Sequence, residues 1–116
     1  MKLIIAGSNY NYIDLKILED YISKHIDVHD IKEIVASNNG KVDSLAKDLS
    51  EKLKIKLTVR KPRWARDGSN AVRNLNESMA NEADKLFLIW NKESPELTQL
   101  KDYMKSLGKE VNEVNY

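Results

Sequence analysis

The run Leu3-Ile4-Ile5-Ala6-Gly7 decides how this chain folds, because four successive apolar residues close on a glycine. An uninterrupted apolar run of this kind is typical of a strand that is buried on both faces, as in a parallel sheet. Residues 86–90 (LFLIW) form a second such run. The two runs predict two strands that are covered on both sides by other parts of the chain.

Segments of helical period separate the short apolar runs. The first helix is predicted to begin after Asp14, a good N-cap residue, and the last to begin at Ser94 with Pro95 in its first turn and to end at Gly108. Apolar residues recur with the period of a buried helix face in four segments. They are Leu15, Leu18 and Ile22; Val42, Leu45, Ala46, Leu49 and Leu53; Val72, Leu75 and Met79; and Leu97, Leu100, Met104 and Leu107.

The remaining strands complete an alternating pattern. Residues 31–36 (IKEIVA) predict a second strand, and residues 55–60 alternate apolar with polar side chains, which indicates a strand towards a sheet edge. Residues 110–114 predict a short final edge strand, and residues 61–68 a loop. Strands joined through helices need right-handed crossovers. The pattern therefore predicts an α/β fold, a Rossmann-like three-layer sandwich with a parallel sheet of four or five strands, as one domain over residues 1–116.

Composition excludes several classes of function. The chain has 19 Lys plus Arg against 18 Asp plus Glu, a net charge of +1, which gives no general attraction to nucleic acid or to an anionic membrane. It has no cysteine, hence no disulfide, thiolate zinc site or cysteine nucleophile. No apolar run approaches the roughly 18–20 residues of a membrane span, and no signal-peptide cleavage site follows the first residues. We expect a soluble cytoplasmic protein without a membrane partner.

The near-neutral total conceals a basic segment, residues 52–66, which contains no acidic residue. The rest of the chain holds 12 basic and 18 acidic residues, a net charge of −6. Two interpretations stay open: solvated side chains along a strand edge, or a surface that attracts an anionic ligand, including single-stranded nucleic acid. The basic residues of the segment are Lys52, Lys54, Lys56, Arg60, Lys61, Arg63 and Arg66.

A binding site in such a fold lies beyond the carboxyl ends of the strands. Small or polar residues follow two of the predicted strands there, and Trp90 with Asn91 stands at the end of a third. Gly7 and Gly40 would allow a ligand to approach the backbone closely, and the amides after Gly40 could donate to a phosphate. The alternative is that these residues only make turns. The residues are Gly7, Ser8 and Asn9; Ser37, Asn38, Asn39 and Gly40; and Trp90 and Asn91.

These features resemble the standalone YspA-like branch of the SLOG (Smf/DprA-LOG) superfamily. The resemblance implies a Rossmann-like domain that binds nucleotides or nucleotide-derived ligands such as NAD or ADP-ribose, and a homo-oligomer, a dimer or larger. The resemblance does not identify a definite cofactor. It is carried by residues 1–14 (MKLIIAGSNYNYID), residues 37–46 (SNNGKVDSLA), Trp64, the pair Arg73-Asn74 and residues 83–90 (ADKLFLIW).

The chain departs from the family pattern in its loops. Asn9 stands where the family has Arg, and Asn38-Asn39 replaces a Gly-Gly pair. Residues 91–97 (NKESPEL) replace the family's Pro-Gly-Gly-x-Gly-Thr loop and contain no glycine. The family's phosphoribohydrolases use a Glu just after that loop as a catalytic acid or base. Because the loop is replaced, we expect binding without catalysis.

Individual side chains receive roles in this prediction. Arg73 would hold a phosphate, and Asn74 would either support Arg73 or contact a ribose. Trp64, between Arg63 and Arg66, would stack on a base. The alternatives are an exposed arginine and a tryptophan that covers the core. The predicted ligand-binding set is Gly7, Ser8, Asn9, Ser37, Asn38, Asn39, Gly40, Asp43, Trp64, Arg73, Asn74, Trp90 and Asn91.

The sequence thus predicts a protein that senses or sequesters a nucleotide-like small molecule. One alternative is hydrolysis of the N-glycosidic bond of a nucleotide, with Asp43, Glu93 and Glu96 as candidate acids or bases. Another is binding of single-stranded nucleic acid through the basic segment. No metal site is predicted, because the helix that carries His25 is expected to end before His29 and no further ligands are identifiable.

Overall fold

A five-stranded, all-parallel sheet lies between two layers of helices in the computed structural model, which describes residues 1–7, 13–37, 41–90 and 92–115, the side chain of Lys41 excepted. The predicted three-layer α/β fold is therefore confirmed. The elements are β1 (Lys2–Gly7), α1 (Leu15–His25), β2 (Glu33–Ser37), α2 (Lys41–Leu53), β3 (Lys56–Arg60), α3 (Trp64–Asp67), α4 (Ala71–Glu82), β4 (Lys85–Trp90), α5 (Pro95–Ser106) and β5 (Glu110–Asn115), with short 3₁₀ turns at Val28–Asp30 and Gly68–Asn70.

The strand order is β3-β2-β1-β4-β5, so the first strand of the chain is the middle strand of the sheet. β1 pairs with β2 on one side and with β4 on the other, where Gly7 lies opposite Ile89. The predictions of central β1 and β4 and of edge strands β3 and β5 are confirmed. Because the winding direction reverses at β1, the helices that follow β1 and β4 lie on opposite faces of the sheet, which leaves a crevice at the ends of these two strands.

Alternate side chains of β1 enter the two faces of the core. Leu3 and Ile5 pack in the layer that contains α1 and α2, and Ile4 and Ala6 pack in the layer of α4 and α5. All four are buried, which explains why residues 3–6 of this strand are all apolar. In the part of the chain that the structure describes, no helix has both the length and the apolar surface needed to span a bilayer.

The helices of the two layers begin as the sequence predicts. Asp14 caps α1 by accepting a hydrogen bond of 2.9 Å from the amide of Ile17. Ser94 caps α5 by accepting one of 3.2 Å from the amide of Leu97. Both caps satisfy an amide that has no partner inside the helix, so they fix where the chain enters each helix.

Lys109, the residue before β5, binds the C-terminal end of α4. The Nζ atom of Lys109 donates to the carbonyl oxygens of Ala80, Asn81 and Ala83 at 2.6, 3.1 and 2.6 Å. The last carbonyls of a helix lack intrahelical donors and carry the negative end of the helix dipole, so an ammonium group suits them. Lys109 thereby fastens the end of α4 to the start of β5.

Candidate functional site

A cleft of about 460 Å³ lies beyond the carboxyl ends of β1 and β2, at the crevice where the strand order reverses. The first turns of α2 and α5, the start of α3 and one side of α4 complete its walls. We call it the strand-end cleft. It is lined by Ala6, Gly7, Ser37, Asp43, Trp64, Val72, Leu75, Asn76, Ser94, Glu96 and Leu97.

The structure brings together part of the predicted ligand-binding set. Gly7, Ser37, Asp43 and Trp64 all line the strand-end cleft. Of the predicted set, Arg73, Asn74 and Trp90 are described but do not line it. The predictions for Ser8, Asn9, Asn38, Asn39, Gly40 and Asn91 lie outside the described residues.

Gly7 has a packing role in addition to its place in the cleft. A Cβ atom on this residue would lie 2.8 Å from Cγ2 of Val42 and closer still to the carbonyl oxygen of Ile89. The Ile89 contact is with backbone of the neighbouring strand, which cannot rotate away as a side chain can. Glycine at the end of β1 therefore lets α2 and β4 approach this strand closely, and the cleft floor depends on that approach.

A hydrogen bond joins the end of β2 to the first turn of α2. The hydroxyl of Ser37 donates to Oδ2 of Asp43 at 2.9 Å. Aspartate is favoured in the first turn of a helix because of the helix dipole. The contact orients one carboxylate on the wall of the cleft, and Ser37 and Asp43 act there as a unit.

The first turn of α5 forms the opposite wall, and a buried asparagine holds it in place. Nδ2 of Asn76, a residue that is 6% exposed, donates to the backbone oxygen of Glu96 and to Oε1 of Gln99, each at 2.9 Å. Ser94 donates to Oε2 of Glu96 at 3.3 Å. Sequence reasoning missed Asn76, although its position on the apolar stripe of α4, next to Leu75, is a signal of a buried polar contact.

Trp64 stands out on this surface. It is the first residue of α3 and it is 60% exposed, although it lines the cleft. The prediction that residues 61–68 form a plain loop was wrong, because this stretch contains α3 and the start of the 3₁₀ turn Gly68–Asn70. Four residues are too few to show a helical period, so the sequence carried no signal for the helix.

The other predicted residues have partners elsewhere. The Arg73 side chain is 69% exposed and its Nε lies 3.4 Å from Oε2 of Glu77, one helical turn along α4. Trp90 is 3% exposed and donates from Nε1 to Oε1 of Glu113 at 2.9 Å. Arg73 therefore lies on the outer surface of α4, and Trp90 belongs to the core.

Glu113 of β5 is held ionised by its neighbours. Burial opposes its charge, but hydrogen bonds from Lys101 and Trp90, together with nearby lysine charges, outweigh burial and lower its pKa. The Lys101 ammonium also lies 5.6 Å from the centre of the Trp90 ring, a cation–π distance. This cluster links β4, β5 and α5 at the β5 edge of the sheet, away from β2.

The charge on the strand-end cleft is negative over the lining residues that the structure describes. Asp43 and Glu96 contribute carboxylates, and none of the described lining residues is a lysine or arginine. Carboxylates accept hydrogen bonds from hydroxyl groups, and an exposed indole ring offers a surface for stacking. The cleft is therefore suited to a ligand part that is flat and rich in hydroxyls.

Most of the basic segment is engaged in ion pairs. The pairs are Lys52 with Glu19 at 2.6 Å, Lys56 with Glu33 at 3.5 Å, Arg60 with Glu82 at 2.7 Å and Arg66 with Asp67 at 3.0 Å. Three further basic residues of the segment, Lys54, Lys61 and Arg63, form no ion pair with any residue in the described ranges.

A second cleft of about 460 Å³ lies between the end of β3, α3 and α4. We call it the basic cleft. Its polar lining residues are Arg60, Lys61, Arg63, Arg66, Asp67, Asn74 and Ser78. Hydrogen bonds from Arg66 and Asn74 and the charges of Arg66 and Arg63 lower the pKa of Asp67 against the effect of burial.

Within the described ranges, no three His, Cys, Asp or Glu side chains are grouped as a metal site requires. Comparison of the chain with protein-family models, with curated proteins and with solved structures gave no match. The resemblance to the SLOG superfamily therefore stays a prediction that rests on the quoted residues, whereas the Rossmann-like topology follows from the strand order and the parallel pairing themselves.

Proposed function

We propose that this protein binds a nucleotide or nucleotide-derived ligand in the strand-end cleft and releases it chemically unchanged. One observation carries the proposal: Trp64, 60% exposed, lines a cleft at the switch point of the sheet. A large exposed indole costs free energy in water unless a partner covers it for part of the time. Its position on the wall of a concave site favours a small molecule as that partner.

The size and place of the cleft support a small-molecule ligand. Its volume of about 460 Å³ falls in the range of about 300–1,000 Å³ that is usual for such sites. Ligands of doubly wound parallel sheets bind at this position because loops and helix N-termini converge there. The first turns of α2 and α5 both reach the cleft, through Asp43 and Glu96.

The lining residues favour the nucleoside part of a nucleotide. The Trp64 ring can stack on a base, since every base has a flat π-face. The carboxylates of Asp43 and Glu96 can accept hydrogen bonds from the two ribose hydroxyls. Asp43 is already oriented by Ser37, so it needs little rearrangement to accept one.

Calorimetric titration with adenosine, ADP-ribose and NAD tests the proposal, after any co-purified small molecule has been removed. We expect Trp64→Ala to weaken binding about 10-fold, because base–aromatic stacking contributes about 1–3 kcal/mol per base. Leu107→Ala is the matched control, since Leu107 is also an exposed apolar residue but lines neither cleft. The proposal is wrong if none of the ligands binds, or if Trp64→Ala and Leu107→Ala have the same effect.

Hydrolysis of an N-glycosidic bond is a second candidate, because two carboxylates line the same cleft. Asp43 and Glu96 do so, whereas Glu93 lies in a separate shallow groove along α5. A general acid or base must lie within hydrogen-bond reach of the reacting group. Release of free base from a nucleoside monophosphate should therefore be lost in Glu96→Gln and retained in Glu93→Gln. Absence of any turnover by the native protein would reject this candidate.

A further inference from the structure

We propose that the basic cleft is a binding site for a phosphoryl anion. Four cations, Arg60, Lys61, Arg63 and Arg66, line it against one carboxylate, Asp67. The proposal is separate from nucleoside binding in the strand-end cleft, because it requires no base on Trp64.

The ion pairs around the cleft leave positive charge unbalanced. Asp67 pairs with Arg66, and Glu82 pairs with Arg60. Lys61 and Arg63 are exposed, and neither forms an ion pair within 4.0 Å with a described acidic residue, although the charge of Arg63 acts on Asp67 from a longer distance. A bound anion would supply the charge that these two side chains lack.

The two ion pairs of the basic cleft also hold Arg60 and Arg66 in position. Arg66 is held by Asp67, which receives a further hydrogen bond from Asn74 on α4. Arg60 is held by Glu82 at the end of the same helix. Two of the four cationic side chains are thus placed before a ligand arrives, which reduces the conformational entropy that binding must overcome.

The chemistry of the cleft favours a phosphoryl group. Arginine presents parallel N–H donors whose spacing matches two oxygens of a phosphate. Val59, Pro62 and Leu75 also line the cleft, and apolar neighbours strengthen charge interactions by excluding water. The start of α4 adds to the field, because its first turn has no acidic residue and no side chain caps it.

Two sources can supply the phosphoryl group. One is a free phosphoanion. The other is the phosphate of a nucleotide whose base lies in the strand-end cleft, because Leu75 lines both clefts and Arg63 directly precedes Trp64. The comparison of adenosine with ADP separates them, since only ADP carries the phosphates.

The test is calorimetric titration of the whole protein with inorganic pyrophosphate. We expect the double variant Lys61→Gln, Arg63→Gln to bind pyrophosphate about 100-fold more weakly, about tenfold for each charge removed. The matched control, Lys16→Gln with Lys47→Gln, removes the same charge from exposed positions on α1 and α2 and should stay within about twofold. All four positions are exposed, so thermal unfolding should confirm that both variants fold.

The outcomes separate this proposal from the function proposed above. Pyrophosphate binding without adenosine binding supports the basic cleft and rejects the nucleoside site. If ADP binds more tightly than adenosine and the double variant removes the difference, the phosphate belongs to the nucleotide. The basic cleft is rejected if native protein fails to bind pyrophosphate at millimolar concentration, if the control variant loses as much affinity as the double variant, or if only a single-stranded oligonucleotide binds.

Discussion

The two clefts at the carboxyl edge of the sheet have the same volume and share Leu75, but their charges are opposite. The strand-end cleft presents Asp43 and Glu96, and the basic cleft presents four cations and one carboxylate. The helices show the same division. α2 and α5 carry an acidic residue in their first turns, and α4 carries none.

This difference shows that a net charge of +1 says little about any one surface of the molecule. Acidic side chains from α1, β2 and α4 neutralise much of the basic segment from outside it. The positive charge that remains is concentrated in one concave place beside a negative one. Neighbouring clefts of opposite sign are suited to two chemically different parts of one ligand, one anionic and one rich in hydroxyls.

The largest expected effect comes from disturbing the floor of the strand-end cleft. Gly7→Ala should lower the free energy of unfolding by about 3 kcal/mol, because the added Cβ meets the backbone of Ile89 and the side chain of Val42. Urea denaturation measures this loss. Gly108→Ala is the control: Gly108 has φ 72° but open space around its Cα, so only a backbone cost of about 1 kcal/mol applies. Equal losses in the two variants would contradict the packing role of Gly7.

Ionic strength should separate the two clefts directly. Raising the salt concentration from about 50 to about 500 mM should weaken pyrophosphate binding about 10-fold, because the Debye length shortens and the exposed cations are screened. Adenosine is uncharged, so its binding should change by less than about twofold. Calorimetry at the two salt concentrations measures the change in affinity for each ligand. Parallel losses for the two ligands would mean that they bind at one site.

A smaller effect is expected from neutralising one wall of the strand-end cleft. Glu96→Gln should weaken adenosine binding about 3-fold, because an amide oxygen is a poorer acceptor for a ribose hydroxyl than a carboxylate is. Pyrophosphate binding should not change, since Glu96 does not line the basic cleft. Glu93→Gln, outside both clefts, is the control. Unchanged adenosine affinity in Glu96→Gln would show that the ligand does not contact this wall.

The smallest expected effect concerns the single carboxylate of the basic cleft. The pKa of Asp67 is lowered from its ordinary value of 3.8 by Arg66 and Asn74, so the ionised form stabilises the folded state above pH 3.8. That contribution disappears as the pH falls through the folded pKa. Asp67→Asn should therefore be less stable than native protein at neutral pH, and the difference should shrink below pH 3.8. A stability difference that does not depend on pH in unfolding experiments would contradict this assignment.

The sheet could be predicted from the sequence because a strand that is buried on both faces consists of an uninterrupted run of apolar residues. Residues 3–6 and 86–90 are apolar throughout, and the alternation in residues 55–60 marks β3 as an edge strand. The predicted strand ends also indicated where the strand-end cleft lies, because all strands of a parallel sheet end at the same edge. Gly7 was correctly placed there, although the structure also gives it a packing role.

What the sequence did not predict depends on contacts between distant positions. Asn76 meets Gln99 across two helices, and Arg60 meets Glu82 across 22 positions. No local pattern encodes such pairs, so neither interpretation of the basic segment, solvated side chains or an anion-attracting surface, included the ion pairs that engage most of it. α3 was missed because it is shorter than the window over which a helical period is visible.

The ammonium of Lys109 has a consequence for the order in which this molecule acquires structure. During synthesis α4 emerges long before residue 109, so the donor that satisfies its final carbonyls is still absent. One side of the central strand is in the same position, because β1 pairs with β2 about 30 residues further along the chain but with β4 only about 80 residues further. The complete sheet and the capped end of α4 can therefore form only after residues 85–115 have been made.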